Sequence, residues 1–181
     1  MNIKKDKSII EGIRNGRPDA QRALFKKYGK KLYSTCLRYV GSKMDAEDVL
    51  QESFIRIFKY FKNFDPQKGD LGSWMQRICV NESINRLQAK KEFITIESMP
   101  TEPEAAPLAL SHLQMEDLMR LILKLPIPYR TVFNMYLIEG YSHTEIAETL
   151  GIEASSSRSI LTRAKAMVRK QLDKKKHDSW I

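Results

Sequence analysis

Hydrophobic positions recur at spacings of three and four along most of this chain. Leu24, Tyr28, Leu32, Cys36 and Tyr39 mark one stripe, and Val49, Phe54, Ile57, Phe58 and Phe61 mark a second. A third stretch, SWMQRICVNESINRLQAKK, offers Trp74, Ile78, Ile84 and Leu87 for burial. This is the period of an amphipathic helix and not the alternation of a strand. Asp45 opens the second helix, DAEDVLQESFIRIFKYFKNF, with acids crowding the first turn, where the helix dipole favours negative charge. FDPQKGDLGS then interrupts the pattern, because Pro66, Gly69 and Gly72 fall close together. Farther on, MEDLMRLILKLP predicts a helix that stops at Pro126. PYRTVFNMYLIEG predicts another, ending at Gly140, a natural C-terminal cap. Neither strand alternation nor a solenoid repeat is present. The pattern predicts an all-α fold.

Between the two helical blocks lies EFITIESMPTEPEAAPLALSHLQMED, which holds Pro100, Pro103 and Pro107. Proline blocks regular helix, and like charges repel one another. The expectation is two small helical domains, residues 1–92 and 112–181, joined by an acidic proline-containing linker at 93–111. Ile94 and Ile96 are available to dock on a neighbouring surface. Charge sharpens the division. Residues 1–91 carry 20 Lys and Arg against 10 acids; residues 92–117 carry six acids and no Lys or Arg; residues 118–181 carry 11 against 6. The net charge of +9 favours a polyanionic partner, nucleic acid before membrane.

The C-terminal block contains SHTEIAETLGIEASSSRSILTRAK. Ser142 with Glu145 three residues on predicts a capping box, in which each side chain satisfies a backbone N–H of the other. Ile146, Ala147 and Leu150 form an inner face, and Gly151 tolerates the positive φ of a sharp turn. In the next helix Ser157, Leu161, Ala164, Val168 and Leu172 can be buried. Arg158, Thr162, Lys165 and Arg169 then form an outer stripe, flanked by Ser155, Ser159 and Arg163. This is helix-turn-helix spacing, with the second helix suited to a major groove. The tail RKQLDKKKH adds phosphate attraction.

Candidate chemistry is sparse elsewhere. Asp45, Asp48 and Glu52 share a helical face, with Glu47 and Gln51 nearby. Carboxylate metal helices use a histidine at Glu-x-x-His spacing, which is missing here. His112, His143 and His177 are scattered, and neither a P-loop nor a dinucleotide loop is present. Cys36 and Cys79 lie far apart in apolar surroundings, so buried thiols fit better than zinc. The sequence therefore implies no enzyme, no cofactor, no metal and no small-molecule substrate. An acidic patch on a basic protein instead suits a basic protein surface. With no secretory signal and no apolar run of membrane length, the expected location is the cytoplasm.

DAEDVLQESFIRIF followed by FDPQKGDLGSWMQRICVNESINRL resembles the second conserved region of bacterial sigma factors. LPIPYRTVFNMYLIEGYSHTEIAETLGI and the following helix resemble their fourth region. The two occur in order with no third region between, the layout of the extracytoplasmic-function (ECF) group. The resemblance covers about residues 9–91 and 115–172 of the sequence.

It implies a transcription initiation subunit that binds core RNA polymerase and promoter DNA. Asp48, Gln51 and Glu52 would dock on the coiled coil of the largest polymerase subunit. The loop from Asp65 to Ser73, including Lys68, Gly69 and Asp70, would be the specificity loop for the −10 element. Asn81 would stand at the pocket for a flipped base, with Trp74, Arg77, Asn85 and Arg86 as further −10 residues and Lys90 and Lys91 on phosphates. At the −35 element, Arg158, Ser159, Thr162 and Arg163 would read bases. Lys165 and Arg169 would contact the backbone, and Ser155 or Ser156 would cap the helix or touch a phosphate. The resemblance also implies control by an anti-sigma factor, often membrane-bound.

Two positions depart from the family's pattern. Ser157 stands where a β-branched apolar residue is common, and Ile160 where arginine is frequent. A buried Ser157 needs a hydroxyl partner, for which a backbone carbonyl of the preceding turn is the candidate. Ile160 has two readings, against a thymine methyl or against the core. Two other readings of the whole chain remain. A helix-turn-helix regulator leaves DAEDVLQESF and DLGSWMQRICVN without a reason. A metal nuclease on Asp45, Asp48 and Glu52 lacks histidines.

Overall fold

A computed structural model describes residues 3–90 and 115–178. The expected linker, with Ile94 and Ile96, lies outside the described residues, as do Lys91 and His112. Among the described residues all regular structure is helical, in line with the all-α expectation. The chain divides into two compact units, Met1–Ala89 and Lys90–Ile181.

The N-terminal unit is built from α1 (Ile3–Arg14), α2 (Pro18–Val40), α3 (Lys43–Lys59), a 3-10 turn (Phe61–Asn63) and α4 (Leu71–Ala89). Helices α2, α3 and α4 pack against one another, and α1 packs on α2. The predicted stripes supply the core: Leu24, Leu32, Cys36 and Tyr39 from α2, and Val49, Phe54 and Ile57 from α3. Ile84 and Leu87 of α4 are buried as well, whereas Tyr28, Phe58, Trp74 and Ile78 are half-buried. Cys36 and Cys79 are buried free thiols, and their mutual hydrogen bond, with burial, pushes Cys36 well above its ordinary value. Pro18 starts α2 in the first turn, where its missing N–H costs nothing. Gly41 ends it in the left-handed conformation and donates to the Leu37 carbonyl.

Helix α1 is not among the elements that the hydrophobic pattern predicts. It carries only Ile10 and Ile13 as buried apolar residues, too short a stripe to stand out. A side chain at Gly12 would come within 2.5 Å of the Ala20 Cβ, so the glycine permits the close approach of α1 to α2.

The C-terminal unit comprises α5 (Met115–Leu123), α6 (Ile127–Phe133), a π-helical turn (Asn134–Ile138), α7 (His143–Leu150) and α8 (Ala154–Asp178). Helices α5, α6 and α7 all pack on α8. Ile122, Val132, Phe133, Met135, Ile146, Ile160, Ala164 and Val168 are buried in its core. The stretch after Pro126, expected as one helix, is in fact α6 continued by the π turn. Such a turn holds one extra residue per hydrogen-bonded ring and so re-aims the side chains beyond it. Its outer residues, Tyr136 and Leu137, are partly exposed.

Candidate nucleic-acid interface

Three surfaces carry the residues singled out in the sequence. The first is the acidic face of α3. Ser42 caps the helix by accepting from the Asp45 backbone N–H at 3.4 Å. Asp48, Gln51 and Glu52 are exposed together on one side. Met44 (70% exposed) and Ile55 (67% exposed) flank them at helical spacing. Acidic, amide and apolar side chains are thus exposed side by side along one face of the helix. Asp45 points elsewhere: it is nearly buried and faces Arg86 of α4. A second ion pair, Arg56 to Glu82 at 2.9 Å, also ties α3 to α4.

The second surface is the loop before α4 and the outer side of that helix. Asp65 accepts the Gln67 backbone N–H at 2.9 Å, forming a tight turn. Asp70 caps α4, accepting the Ser73 backbone N–H at 3.0 Å and the Ser73 hydroxyl at 2.6 Å. Those two bonds hold the Asp70 carboxyl below the usual carboxylate range. Trp74 packs edge-on against Phe61 at 5.9 Å and tilted against Phe64 at 5.4 Å, so much of its ring supports the loop. From below, α1 holds the loop: Arg14 donates to the Phe64 carbonyl at 3.0 Å. Asp6 and Ile10 line a small pocket with Phe64, Pro66, Gly69, Asp70 and Leu71. Asp6 is itself buried and accepts from Lys27 and from the Tyr28 hydroxyl. No periodic signal announced Asp6 or Arg14, because their role depends on how α1 meets the loop.

Beyond the loop, Ser73, Arg77, Asn81 and Asn85 are spaced by four along α4 and all are exposed. Lys68, Gly69 and Asp70 are exposed at the head of this strip, with Asp65 half-buried. Arg86, grouped with them by sequence, stands elsewhere. It lies a quarter-turn or more around the helix. Its guanidinium pairs with Asp45 at 3.2 Å and Asp48 at 2.8 Å. The hydrogen bond to Asp45 is the main cause that raises its pKa. Arg86 therefore belongs with the acidic face of α3.

The third surface is the helix-turn-helix pair. The predicted capping box is present: Glu145 accepts from the Ser142 N–H at 2.8 Å, and the Ser142 hydroxyl accepts from the Glu145 N–H at 3.2 Å. Gly151 turns the chain with φ +68°. On α8, Ser155, Arg158 and Ser159 are exposed, and Ser156, Thr162, Arg163, Lys165 and Arg169 are partly exposed. The outer stripe is therefore assembled much as the sequence suggested, with Leu172 half-buried.

The two departures resolve. Ile160 is 1% exposed and belongs to the core, which leaves no side chain for a thymine methyl. Ser157 is fully buried, and its partner is not a backbone carbonyl but the imidazole of His143, with Oγ and Nδ1 2.9 Å apart. His143 sits at the first position of α7 and stacks on Tyr136 with centroids 4.4 Å apart. The Lys165 ammonium lies 5.9 Å from the centroid of the same tyrosine ring. Burial, then Arg158 and Lys165, push the His143 pKa down and favour the neutral ring.

Comparison with known proteins agrees with this anatomy. The Sigma-70 region 2 family matches residues 24–93, and the Sigma-70, region 4 family matches residues 115–168. The chain is 32% identical to the ECF RNA polymerase sigma factor SigW of Bacillus subtilis, covering 95% of this chain and 97% of that relative. It is 26% identical to the RNA polymerase sigma-H factor of Pseudomonas aeruginosa, covering 95% and 96%. Two solved structures share the fold. CnrH in complex with the cytosolic domain of CnrY has a TM-score of 0.52 at 22% identity, covering 93% of this chain and 97% of that one. The Bartonella quintana sigma factor RpoE, in complex with the anti-sigma factor NepR, has a TM-score of 0.53 at 17% identity, covering 84% and 96%. With both regions matched in order and a relative aligned over nearly its whole length, this chain belongs to the ECF sigma factors, the subunits that bring RNA polymerase to promoters and initiate transcription.

Proposed function

We propose that the chain divides its work among the three surfaces. Asp48, Gln51 and Glu52 dock on core RNA polymerase. The loop Asp65–Ser73, with Lys68, Gly69 and Asp70, and the strip of Trp74, Arg77, Asn81 and Asn85 recognise the −10 element. Ser155, Ser156, Arg158, Ser159, Thr162, Arg163, Lys165 and Arg169 engage the −35 element. Residues 1–92 form the first functional body, 93–111 the linker and 112–181 the second. The part played is recognition rather than catalysis, in the cytoplasm of a bacterium.

One observation carries the reading of the N-terminal unit. The exposed strip Ser73–Arg77–Asn81–Asn85 begins at the capped loop, while Glu82 and Arg86 turn inward to α3. A single helix thus keeps a nucleic-acid side apart from the acidic docking side. Amides and apolar walls around an ordered loop suit an extruded base, whose edges and face are exposed once it leaves the stack. On α8, an arginine on a base edge contributes ~1–3 kcal/mol of discrimination.

The two solved relatives are bound to CnrY and to the anti-sigma factor NepR, respectively. A similar anti-sigma partner, soluble or membrane-anchored, would hold this chain inactive.

Reconstitution with core polymerase tests the proposal. Run-off transcription should depend on this protein and on a promoter with both elements. Failure to comigrate with core polymerase on gel filtration would sink the docking assignment. Tight duplex binding by the free chain, without core, would favour a helix-turn-helix regulator instead.

A further inference from the structure

The buried Ser157 hydroxyl is an expensive group to place in a core. Left without a partner it would cost ~1–3 kcal/mol. Its partner comes from another helix, His143 at the start of α7, and that ring is itself held by stacking on Tyr136 of the π turn. Lys165 of α8 lies over the far side of the network, near the same tyrosine. One chain of contacts therefore leaves α8 at Ser157, crosses α7 and the π turn, and returns to α8 at Lys165.

Its direction matters. Apolar packing by Ile146, Leu150, Ile160 and Leu161 sets how close α8 lies, but such packing is non-directional. A hydrogen bond weakens steeply as its angle opens, so Ser157 to His143 restrains the rotation of α8 about its own axis. Arg158 and Ser159 follow Ser157 directly and are exposed. Each residue advances the helix by ~100°, so a modest rotation re-aims both side chains.

We propose that His143 is a positioning residue for upstream-element recognition: its hydrogen bond to Ser157, braced by Tyr136, sets the rotation of α8 and with it the discrimination among −35 bases. The proposal rests on the assignment of α8 as the −35 reading helix. The proposal needs no contact between His143 and a base. It acts through Ser157, and the serine that breaks the family's apolar pattern is the handle.

The test uses holoenzyme assembled from core polymerase and the full chain, transcribing a promoter set in which each upstream base is varied. Ser157→Thr keeps a hydroxyl, whereas Ser157→Val has nearly the shape of that threonine without one. His143→Phe keeps a ring on Tyr136 but has no Nδ1. We expect Ser157→Thr to retain the wild-type ratio between favourable and unfavourable upstream sequences. We expect Ser157→Val and His143→Phe each to lower that ratio by about five- to tenfold, the equivalent of one hydrogen bond. The double variant should lose no more than either single one. The nitrogen-15 shift of the His143 ring in the free chain should move in Ser157→Val while the melting temperature holds, a signature that simple packing would not give. If Ser157→Val and His143→Phe keep the wild-type ratio, or their losses add, the inference is overturned while the −35 assignment stands. A wild-type holoenzyme indifferent to upstream sequence would instead overturn the assignment of α8 beneath it.

Discussion

Arg86 of α4 grips Asp48 of α3, with 2.8 Å between the guanidinium and the carboxylate, and the same group reaches Asp45 at 3.2 Å. The two acids are not equivalent. The Asp48 side chain is 49% exposed and that of Asp45 only 10%. An exposed ion pair contributes little, because water and salt screen it. A nearly buried carboxylate that loses its cation is penalised far more. Arg86→Ala should therefore lower the urea midpoint of the full chain several times more than Asp48→Ala does. Equal effects in equilibrium denaturation would show that Asp45 does not depend on Arg86.

The same geometry bears on docking. Asp48 and Glu52 lie one helical turn apart on the exposed side of α3, between Met44 and Ile55. If these acids dock on a basic surface of core polymerase, as proposed, reversing both in Asp48→Arg/Glu52→Arg sets cation against cation, and like-charge juxtaposition costs several kcal/mol. Affinity for core polymerase should fall by more than about 100-fold. Helicity by circular dichroism should be retained, because both positions are exposed. Core binding that survives the double reversal, measured by surface plasmon resonance, would remove α3 from the docking surface.

Asp70 links a helix cap to the loop proposed to recognise the −10 element. Its carboxylate holds the Ser73 N–H and hydroxyl, and replacing such a cap by alanine costs ~0.5–2 kcal/mol. The carboxyl pKa is lowered in the folded state, so its stabilising contribution is complete above the ordinary aspartate value of ~3.9 and is lost as pH falls through the lower folded value. Asp70→Asn should flatten the acid limb of stability over that window. Thermal melts at stepped acid pH would decide it, since parallel wild-type and variant limbs contradict the linkage. In transcription, Asp70→Ala should weaken use of the −10 element and leave −35 dependence in place.

Periodicity made the helical framework legible. Leu24, Leu32, Cys36 and Tyr39 repeat at helical spacing because one side of α2 is buried against α3 and α4, and burial writes itself into sequence as a stripe. Local chemistry was equally readable: the Ser142–Glu145 box and the Gly151 turn need only residues a few positions apart. Pairings across helices were not. Ser157 meets His143 over 14 residues, and Arg86 meets Asp48 over 38, so each depends on a tertiary register that no local pattern encodes. For the same reason the sequence places Arg86 beside Asn85 but does not show that its guanidinium pairs with Asp45 and Asp48. The π turn leaves no mark in the sequence because NMYLI has ordinary helical composition. Trp74 is half-buried because its ring packs on Phe61 and Phe64, aromatic partners brought to it by the fold of the loop.

The neutral state of His143 yields a prediction in the free chain. The ring faces Ser157, Arg158 and Lys165 on α8 and Tyr136 on the π turn, while the Glu145 carboxylate of its own helix is turned to Ser142. Burial leads, and the two cations follow, in lowering its pKa below the ordinary imidazole value of 6.5. The unfolded chain then takes up a proton first as pH falls. The ring's contribution is therefore full above about 6.5 and shrinks below it until the folded value is reached. His143→Phe carries no ionisable ring and escapes this loss. The stability difference, wild type minus His143→Phe, should accordingly decrease between about pH 7.5 and pH 5.5. Urea denaturation of both proteins at stepped pH measures it directly. A difference that grows on acidification would mean that the folded ring prefers its charged form despite burial, Arg158 and Lys165. The imidazolium could then no longer accept at Nδ1, and Ser157 would be held only as the acceptor of a charged donor.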